Sequence, residues 1–289
     1  MTDALKILVI GATGQQGGAL ARVLLSKGHH VRALIRKSDS PAAQELKKIG
    51  AELATGNFED GNSLVSAAQG MDVVYGMTNF VEKGLEAETQ QGIAIANAAK
   101  SAGVNHLVFA SVSDANRHTG IPHFESKYLI EQHIKTLDIP HAIIAPVYFM
   151  DNLVGPWMLP GLKQGSLAMA MPAQRKLQQI PLQDIAAFEA LVIEHRDKFL
   201  GKRIDIASDE LDGTTTAEIL SKVSGHKIEY AEVPIETVLV ENEGLGKAFD
   251  WLNSVGNSAV ISTLRQDYPE VGWHSFEDWA KAQDWSILN

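Results

Sequence analysis

The sequence contains no cysteine among its 289 residues. Disulfide bonds, thiolate metal sites and cysteine nucleophiles are therefore excluded, as is direct sensing of redox state by a thiol. The histidines show no HExxH pairing or other spacing typical of zinc sites, so we expect no bound metal. These absences remove thiol and metal chemistry from the functions to consider.

Long hydrophobic runs and clusters of positive charge are also missing. No run approaches the ~20 apolar residues of a membrane-spanning helix, and residues 1–6 lack the features of a signal peptide. The formal net charge is −10, which disfavours direct binding of nucleic acid because such binding needs clustered cations. We expect a soluble cytoplasmic protein without membrane association, either a monomer or a homodimer.

Apolar strand-like runs alternate with helical patterns through residues 1–146. This alternation predicts an α/β fold with a doubly wound parallel Rossmann sheet, because strands joined through helices make right-handed crossovers. The predicted strands are 6–10, 31–35, 52–55, 73–76, 107–111 and 142–146. The predicted helices are 17–27, 41–49, 61–69, 87–102 and 124–137.

The pattern changes after residue 146, where four prolines, Trp157 and several methionines interrupt the chain. Helical patterns return at 182–196, 216–224 and 275–283, with candidate strands at 203–207 and 228–233. We therefore expect residues 1–146 to form the cofactor-binding domain. Residues 147–289 would form a smaller C-terminal α/β lobe that acts as a lid or substrate lobe, either following the first domain or interleaved with it.

A glycine-rich turn joins the first predicted strand to the first predicted helix. The sequence IGATGQQG over residues 10–17 has the GxxGxxG spacing that brings a helix N-terminus close to a pyrophosphate. Gly11 permits a tight turn, Gly14 permits close approach of the backbone to phosphate oxygens, and Gly17 permits close packing of the helix. The cofactor-binding residues predicted in this turn are Gly11, Thr13, Gly14, Gln15, Gln16 and Gly17.

The end of the second strand indicates which dinucleotide is bound. An acidic residue there would hold the 2′-hydroxyl of NAD, whereas this sequence has Arg36. A guanidinium can pair bidentately with a 2′-phosphate that a carboxylate would repel. We therefore predict NADP(H) as cofactor. Arg36 would bind the 2′-phosphate, with additional contacts from Thr13, Lys37 and Ser38.

Together these motifs resemble the NmrA-like family of atypical short-chain dehydrogenases/reductases, over nearly the whole chain. The resemblance rests on the GATGxxG turn, the VRALxR strand, GAEL leading into GNFED (50–60), GMDVV (70–74), AAKSAGV (98–104), HFxxK (123–127) and PxxFxxN (146–152). The HFxxK form is similar to that of the human-type NADPH sensors of the family.

The resemblance implies further binding residues. Asn57 and Phe58 would flank the adenine, although the family commonly has Asp at the position of Asn57. Thr78 and Asn79 would lie along the adenosine ribose and pyrophosphate. The nicotinamide end and any substrate pocket would be lined by Tyr148, Phe149 and Asn152.

The family's catalytic pattern is altered here. Active short-chain reductases carry Ser, Tyr and Lys, with Tyr-x-x-x-Lys on the helix after the fifth strand, so that both side chains share one helix face. This sequence has His123 where the Tyr would stand and retains Lys127. The candidate catalytic residues are Lys127, which would also bind the nicotinamide ribose, His123 and Ser111.

Two functions remain open on this pattern. In the favoured hypothesis the protein is a redox-sensing regulator, in which NADPH or NADP+ occupancy changes a conformation that a partner protein recognises. In the alternative it is an NADPH-dependent reductase of a quinone or another small planar carbonyl compound, with His123 as proton donor. The absence of the usual Tyr leaves enzymatic activity uncertain.

Overall fold

The computed structural model describes residues 4–289, and these fold into two compact units. The first unit contains residues 4–116, 123–145 and 185–204. The second contains residues 117–122, 146–184 and 205–289. The units interleave along the chain, because residues 185–204 belong to the first unit although they follow residue 146.

Strands and helices alternate through most of the described chain. The strands are β1 Lys6–Ile10, β2 His30–Ile35, β3 Glu52–Thr55, β4 Val73–Gly76, β5 His106–Ala110, β6 His141–Pro146, β7 Tyr148–Phe149, β8 Ser166–Met169, β9 Lys176–Ile180, β10 Arg203–Ile206, β11 Asp209–Asp212 and β12 Glu229–Glu232. The helices are α1 Gln15–Ser26, α2 Pro41–Lys48, α3 Gly61–Ala68, α4 Leu85–Ala102, α5 Pro122–Thr136, α6 Leu159–Lys163, α7 Leu182–Glu194, α8 Arg196–Phe199, α9 Gly213–Ser224, α10 Ile235–Glu241, α11 Glu243–Ser254, α12 Ile261–Asp267 and α13 Phe276–Ala282.

The main sheet confirms the predicted doubly wound fold. Its strands lie in the order β3, β2, β1, β4, β5, β6, and each is parallel to its neighbours. Within residues 4–289 the sheet has seven strands, because β10 adds to it beside β6. The order reverses between β1 and β4, and open α/β sheets bind ligands at such a crevice, beyond the carboxyl ends of the strands.

Local sequence signals set the ends of the first helices. Ser40 caps α2 by accepting a hydrogen bond from the Ala43 amide, and Pro41 occupies the first turn, where its missing N–H costs nothing. Asp60 caps α3 through the amides of Asn62 and Ser63. Helix α2 buries Ala43 and Leu46, and α3 buries aliphatic side chains that pack with the continuous apolar strands β1 and β5.

The second unit has a smaller core of its own. There β9 pairs in parallel with β7 and antiparallel with β11, while β8 pairs in parallel with β12. Leucine, methionine and tryptophan side chains fill the space between these strands and the helices α9 and α13. The second unit thus has a mixed α/β architecture. Among the described residues, no helix has the length and hydropathy that a bilayer span requires.

A buried polar cluster lies within the first unit. Oε1 of Glu189, on α7, accepts hydrogen bonds from the Tyr75 hydroxyl and from Gln16 Nε2, each at 2.7 Å. Oε2 of Glu189 is buried without a partner. Burial raises the pKa of Glu189 from 4.5 to about 8, although the hydrogen bonds from Tyr75 and Gln16 act in the opposite direction. The carboxyl group is therefore protonated and neutral at pH 7.

This cluster predicts a pH-dependent stability. Because the folded state raises the pKa of Glu189, the group favours folding below the unfolded pKa of 4.5 and loses that contribution as pH rises toward about 8. At 1.36 kcal/mol per pH unit, the loss is on the order of 5 kcal/mol. Glu189→Gln, which resembles the neutral acid, should remove most of this slope in urea denaturation between pH 5 and pH 9. An unchanged slope would contradict the assignment of the proton to Glu189.

Candidate functional site

The loops after β1, β2, β3 and β4 meet at the carboxyl edge of the sheet and line an open cleft of about 200 Å³. The cleft lies at the reversal of strand order described above. Its lining residues are Ile10, Gly11, Thr13, Gly14, Leu34, Ile35, Arg36, Gly56, Asn57, Phe58, Glu59, Met77, Thr78, Asn79, Glu82, Lys83 and Gln91. Apolar side chains from the strands thus face polar and charged groups from the loops.

The glycine turn gives one wall of the cleft its shape. Gly11 has a φ of +82°, which disfavours other residues, and a Cβ there would lie 2.6 Å from the Met77 side chain. At Gly17 a Cβ would lie 2.5 Å from the carbonyl oxygen of Gly11, so only glycine lets α1 start this close to the turn. The first turn of α1 carries no acidic residue and leaves the N–H groups of residues 15–17 without intrahelical acceptors. This wall can therefore receive an anion.

The two glutamines of the turn differ in their surroundings. Gln15 is exposed, whereas Gln16 is buried with its side chain on Glu189. A contact of Gln16 with a bound anion is therefore limited to its backbone N–H.

Arg36 lines the cleft at the end of β2, as expected. Its guanidinium donates two hydrogen bonds to one carboxylate, with Nη1 2.8 Å from Oε2 of Glu82 and Nη2 3.0 Å from Oε1. Both side chains remain more than half exposed. Lys37 and Ser38 follow in the same exposed loop but are not among the lining residues.

Asn57 and Phe58 line the cleft from the loop after β3. The Asn57 side-chain oxygen accepts hydrogen bonds from the amides of Glu59 and Asp60, both at 2.9 Å, and so holds the loop in a tight turn. This leaves the side-chain NH2 as the group that can donate to a ligand. Phe58 is half-buried against the core beneath the sheet.

Lys127 contacts both Thr78, which lines the cleft, and the buried carboxylate of Glu88. Its ammonium group donates to the Thr78 carbonyl oxygen at 2.7 Å and to Thr78 Oγ1 at 2.9 Å, and it lies 3.1 Å from Oε1 of Glu88. The Ser126 hydroxyl donates to the other Glu88 oxygen at 2.5 Å. An ammonium has three N–H donors, so Lys127 must give up one of these contacts in order to bind a ribose hydroxyl.

The Lys127 side chain is largely buried. Burial lowers the pKa of Lys127, while the neighbouring carboxylates of Glu88 and Glu131 act in the opposite direction. Glu88 is buried as well, with 1% of its surface exposed. The two charges therefore depend on each other.

The other predicted catalytic residues have different surroundings. His123 stacks on Phe80 with ring centroids 5.1 Å apart and meets Phe124 edge-on. Burial lowers the pKa of His123; the Glu88 carboxylate opposes this shift and the Lys127 charge adds to it. The imidazole is therefore neutral near pH 7, which makes it a poor proton donor.

The Ser111 hydroxyl is committed to a buried ion pair. It donates to Oε1 of Glu131 at 2.5 Å, and Arg203 Nε lies 2.9 Å from the other oxygen of the same carboxylate. Glu131 is fully buried. Ser111 therefore supports the fold at the end of β5, and its hydroxyl proton is already engaged.

Tyr148, Phe149 and Asn152 belong to the second unit. Tyr148 and Phe149 form β7, and Asn152 lies in the 3₁₀ turn that follows. Burial raises the pKa of Tyr148 to about 12, which a hydrogen bond with Asn152 partly offsets. The assignment of these side chains to the nicotinamide and the substrate stays a prediction, as does the functional division at residue 146.

The cleft thus gathers eight of the predicted cofactor-binding residues. They are Gly11, Thr13, Gly14, Arg36, Asn57, Phe58, Thr78 and Asn79. Sequence reasoning did not identify Glu59, Glu82 and Lys83 as part of the same lining. The sequence shows that Glu82 and Lys83 follow β4, but which residues these two side chains contact depends on the conformation of the loop. Among residues 4–289, no cluster of His, Asp or Glu side chains has a geometry suited to a metal ion.

The family model for the NmrA-like family matches residues 3–280. The chain belongs to the NmrA-like family. It is 29% identical over 262 residues to an NmrA-like family domain-containing protein of Dictyostelium discoideum, an alignment that covers 85% of this chain and 83% of that protein.

Two further relatives have more specific names. The chain is 26% identical over 263 residues to the chloroplastic protein High Chlorophyll Fluorescence Phenotype 244 of Arabidopsis thaliana, which covers 89% of this chain and 65% of that protein. This chain thus spans just under two thirds of that relative's length. It is 25% identical over 240 residues to the NAD(P)H azoreductase of Xenophilus azovorans, covering 83% and 81% of the two chains.

Solved structures share the fold across almost the whole chain. NmrA, a negative transcriptional regulator solved in complex with NADP, has a TM-score of 0.77 at 20% identity and covers 98% of this chain and 99% of its own. The NADPH-dependent quinone oxidoreductase of Escherichia coli, complexed with NADPH, has a TM-score of 0.79 at 21% identity, with 95% and 98% covered. At this level of identity the likeness establishes the fold alone.

The Lys127–Glu88 pair predicts strong coupling between two substitutions. Lys127→Met or Glu88→Gln alone leaves one buried charge without its partner and should cost roughly 3–5 kcal/mol of unfolding free energy. The double variant leaves neither charge and should cost less than the sum of the single variants. Urea denaturation of the four proteins measures this coupling.

The exposed pair Lys247–Glu243 offers a matched control, since its charges lie 2.6 Å apart at the surface. The same cycle there should show a much smaller coupling. Additive costs for Lys127 and Glu88 would mean that the two charges do not depend on each other.

Proposed function

We propose that this protein binds NADP(H) in the cleft at the carboxyl ends of β1–β4 and acts as a regulator that responds to the NADPH/NADP+ state. The observation that carries the proposal is the position of Arg36. A cation that can bind phosphate oxygens bidentately stands at the end of β2, where NAD-binding proteins carry an acid.

The shape of the cleft fits a dinucleotide. The approach of α1 to the turn, which a Cβ at Gly17 would block, provides a cradle for the pyrophosphate at a helix N-terminus. Asn57 and Phe58 would hold the adenine, Thr78 and Asn79 the adenosine ribose, and Arg36 the 2′-phosphate. When bound, NADPH would supply a hydride to a suitable acceptor.

The surroundings of the catalytic candidates favour regulation over catalysis. Lys127 uses its three donors on Thr78 and Glu88, and the Ser111 hydroxyl is engaged by Glu131. The neutral His123 is stacked against Phe80. No group among these is prepared to deliver a proton. A regulator of this kind needs a partner protein that distinguishes two conformations, and the cofactor must bind them with different free energies.

A second candidate function is NADPH-dependent reduction of a quinone or another small planar acceptor. Lys127 favours it, because this lysine contacts Thr78 in the wall of the cleft and could turn toward a nicotinamide ribose. The names of two similar proteins, the azoreductase and the quinone oxidoreductase, also support it.

Arg36→Ala should weaken NADPH binding about 10- to 100-fold, because a charge-assisted pair contributes roughly 1.5–3 kcal/mol. NADH, which has no 2′-phosphate, should lose little affinity. Isothermal calorimetry with both dinucleotides measures the difference. Arg22→Ala, which removes an exposed arginine of α1 outside the cleft lining, is the control. Equal losses for NADPH and NADH would reject the role of Arg36.

The regulatory proposal predicts no catalytic turnover. With NADPH and a panel of quinones and aldehydes, the near-ultraviolet band of NADPH should decay no faster than in protein-free buffer. Saturable oxidation that is lost in Lys127→Met would establish the reductase instead. Lys127→Met alone leaves the buried Glu88 carboxylate without its partner. The double variant Lys127→Met/Glu88→Gln removes both charges and therefore serves as a second test of whether turnover needs Lys127.

A further inference from the structure

A short segment between β4 and α4 contributes to the lining of the cleft. We define residues 79–84 as the strap. Its turn is closed by a hydrogen bond from the Gly84 amide to the Phe80 carbonyl oxygen at 2.8 Å, and Gly84 has a φ of +86°. Glu82 and Lys83 line the cleft, while Phe80 stacks on His123.

Glu82 occupies one bidentate edge of the Arg36 guanidinium, the edge formed by Nη1 and Nη2. Its two carboxylate oxygens accept from Nη1 and Nη2 at 2.8 and 3.0 Å, the parallel arrangement that guanidinium groups also adopt with phosphate oxygens. Arg36 therefore cannot offer this edge to a 2′-phosphate while Glu82 holds it.

A second ion pair attaches the strap to the loop after β3, where Lys83 contacts Glu59. The charged residues in the cleft lining are Arg36, Lys83, Glu59 and Glu82, which sum to zero. A phosphate monoester brings a charge of about −1.5 to −2 at pH 7. If Glu82 stayed on Arg36, the phosphate would face a carboxylate instead of a free cation.

We propose that Glu82 is a specificity-determining residue that competes with the 2′-phosphate for Arg36. The inference rests on the proposed NADP(H) function and adds to it the state of the strap. Arg36 holds Glu82 when the cleft contains no 2′-phosphate, and it exchanges Glu82 for the phosphate when NADP(H) binds. With NAD(H), Arg36 keeps Glu82, so the position of the strap depends on which dinucleotide is present.

The exchange requires that Glu82 be a weak competitor, and its exposure makes it one. Exposed ion pairs contribute about 0.2–1 kcal/mol, which corresponds to an affinity factor of up to about fivefold. Phosphate, with its larger charge, forms the stronger pair with Arg36. Glu82 therefore lowers the affinity for NADP(H) without preventing binding.

The experiment is calorimetric titration of the full chain with NADP+ and NAD+. Glu82→Gln should tighten NADP+ binding about two- to fivefold and leave NAD+ binding unchanged. Glu52→Gln is the matched control, because Glu52 pairs with Arg32 at 2.9 Å in the same unit but does not line the cleft. It should change neither affinity.

A double variant separates competition from simple repulsion. In an Arg36→Gln background Glu82 has no guanidinium to occupy, so adding Glu82→Gln should no longer tighten NADP+ binding. The same tightening in that background would overturn the competition, as would equal tightening of NADP+ and NAD+ or no change in either. In these cases the preference of the parent protein for NADP+ would still support the proposed function. Failure of the parent to bind any dinucleotide would defeat both.

Discussion

Recognition of the dinucleotide in this cleft depends on one guanidinium, that of Arg36 at the end of β2. The parallel sheet brings the loops after β1 to β4 to a common edge, and the glycine turn prepares one wall of that edge for a pyrophosphate. What distinguishes this cleft from an NAD site is the charge beyond β2. Arg36 provides a cation there, and Glu82 from the strap neutralises it when no phosphate is present.

Beneath this edge, the first unit contains buried carboxylates that are neutralised in different ways. Glu88 pairs with Lys127, and Glu131 pairs with Arg203. Glu189 has no cation partner and instead retains its proton, because burial raises its pKa to about 8. These arrangements explain why the retained Lys127 and Ser111 cannot be assigned a catalytic role from the family pattern alone. Both side chains also satisfy a buried carboxylate, which a protein needs whether or not it is an enzyme.

The sheet could be predicted from the sequence because its signals are local. The buried parallel strands β1 and β4 are continuous apolar runs and have the predicted bounds, as does the less buried edge strand β3. Helix α1 begins at Gln15, two residues before the predicted start, because Gly14 serves as its N-cap. The strands β7, β8, β9 and β11 were not predicted. They have two to five residues and lie outside the regular alternation of strand and helix that identifies β1–β6, so local periodicity is too weak to reveal them.

The residues of the site likewise divide into those with a local sequence signal and those that only tertiary structure reveals. Residues within two positions of a strand end, such as Arg36 and Thr78, could be placed at the cleft from strand order alone. Glu82 could not, since its contact with Arg36 depends on the path of the strap. Glu88 lies in a helix rich in polar residues, where a glutamate is ordinarily exposed, and only tertiary packing reveals that it is buried beside Lys127.

The most direct test of the central claim is phosphorus NMR of NADP+ titrated from low to neutral pH, free and bound to the protein. The second ionisation of a phosphate monoester has a pKa of about 6. A neighbouring guanidinium favours the dianion, so binding to Arg36 should lower the pKa of the 2′-phosphate, and Arg36→Ala should restore it. A bound 2′-phosphate that titrates as it does in free NADP+ would contradict the account.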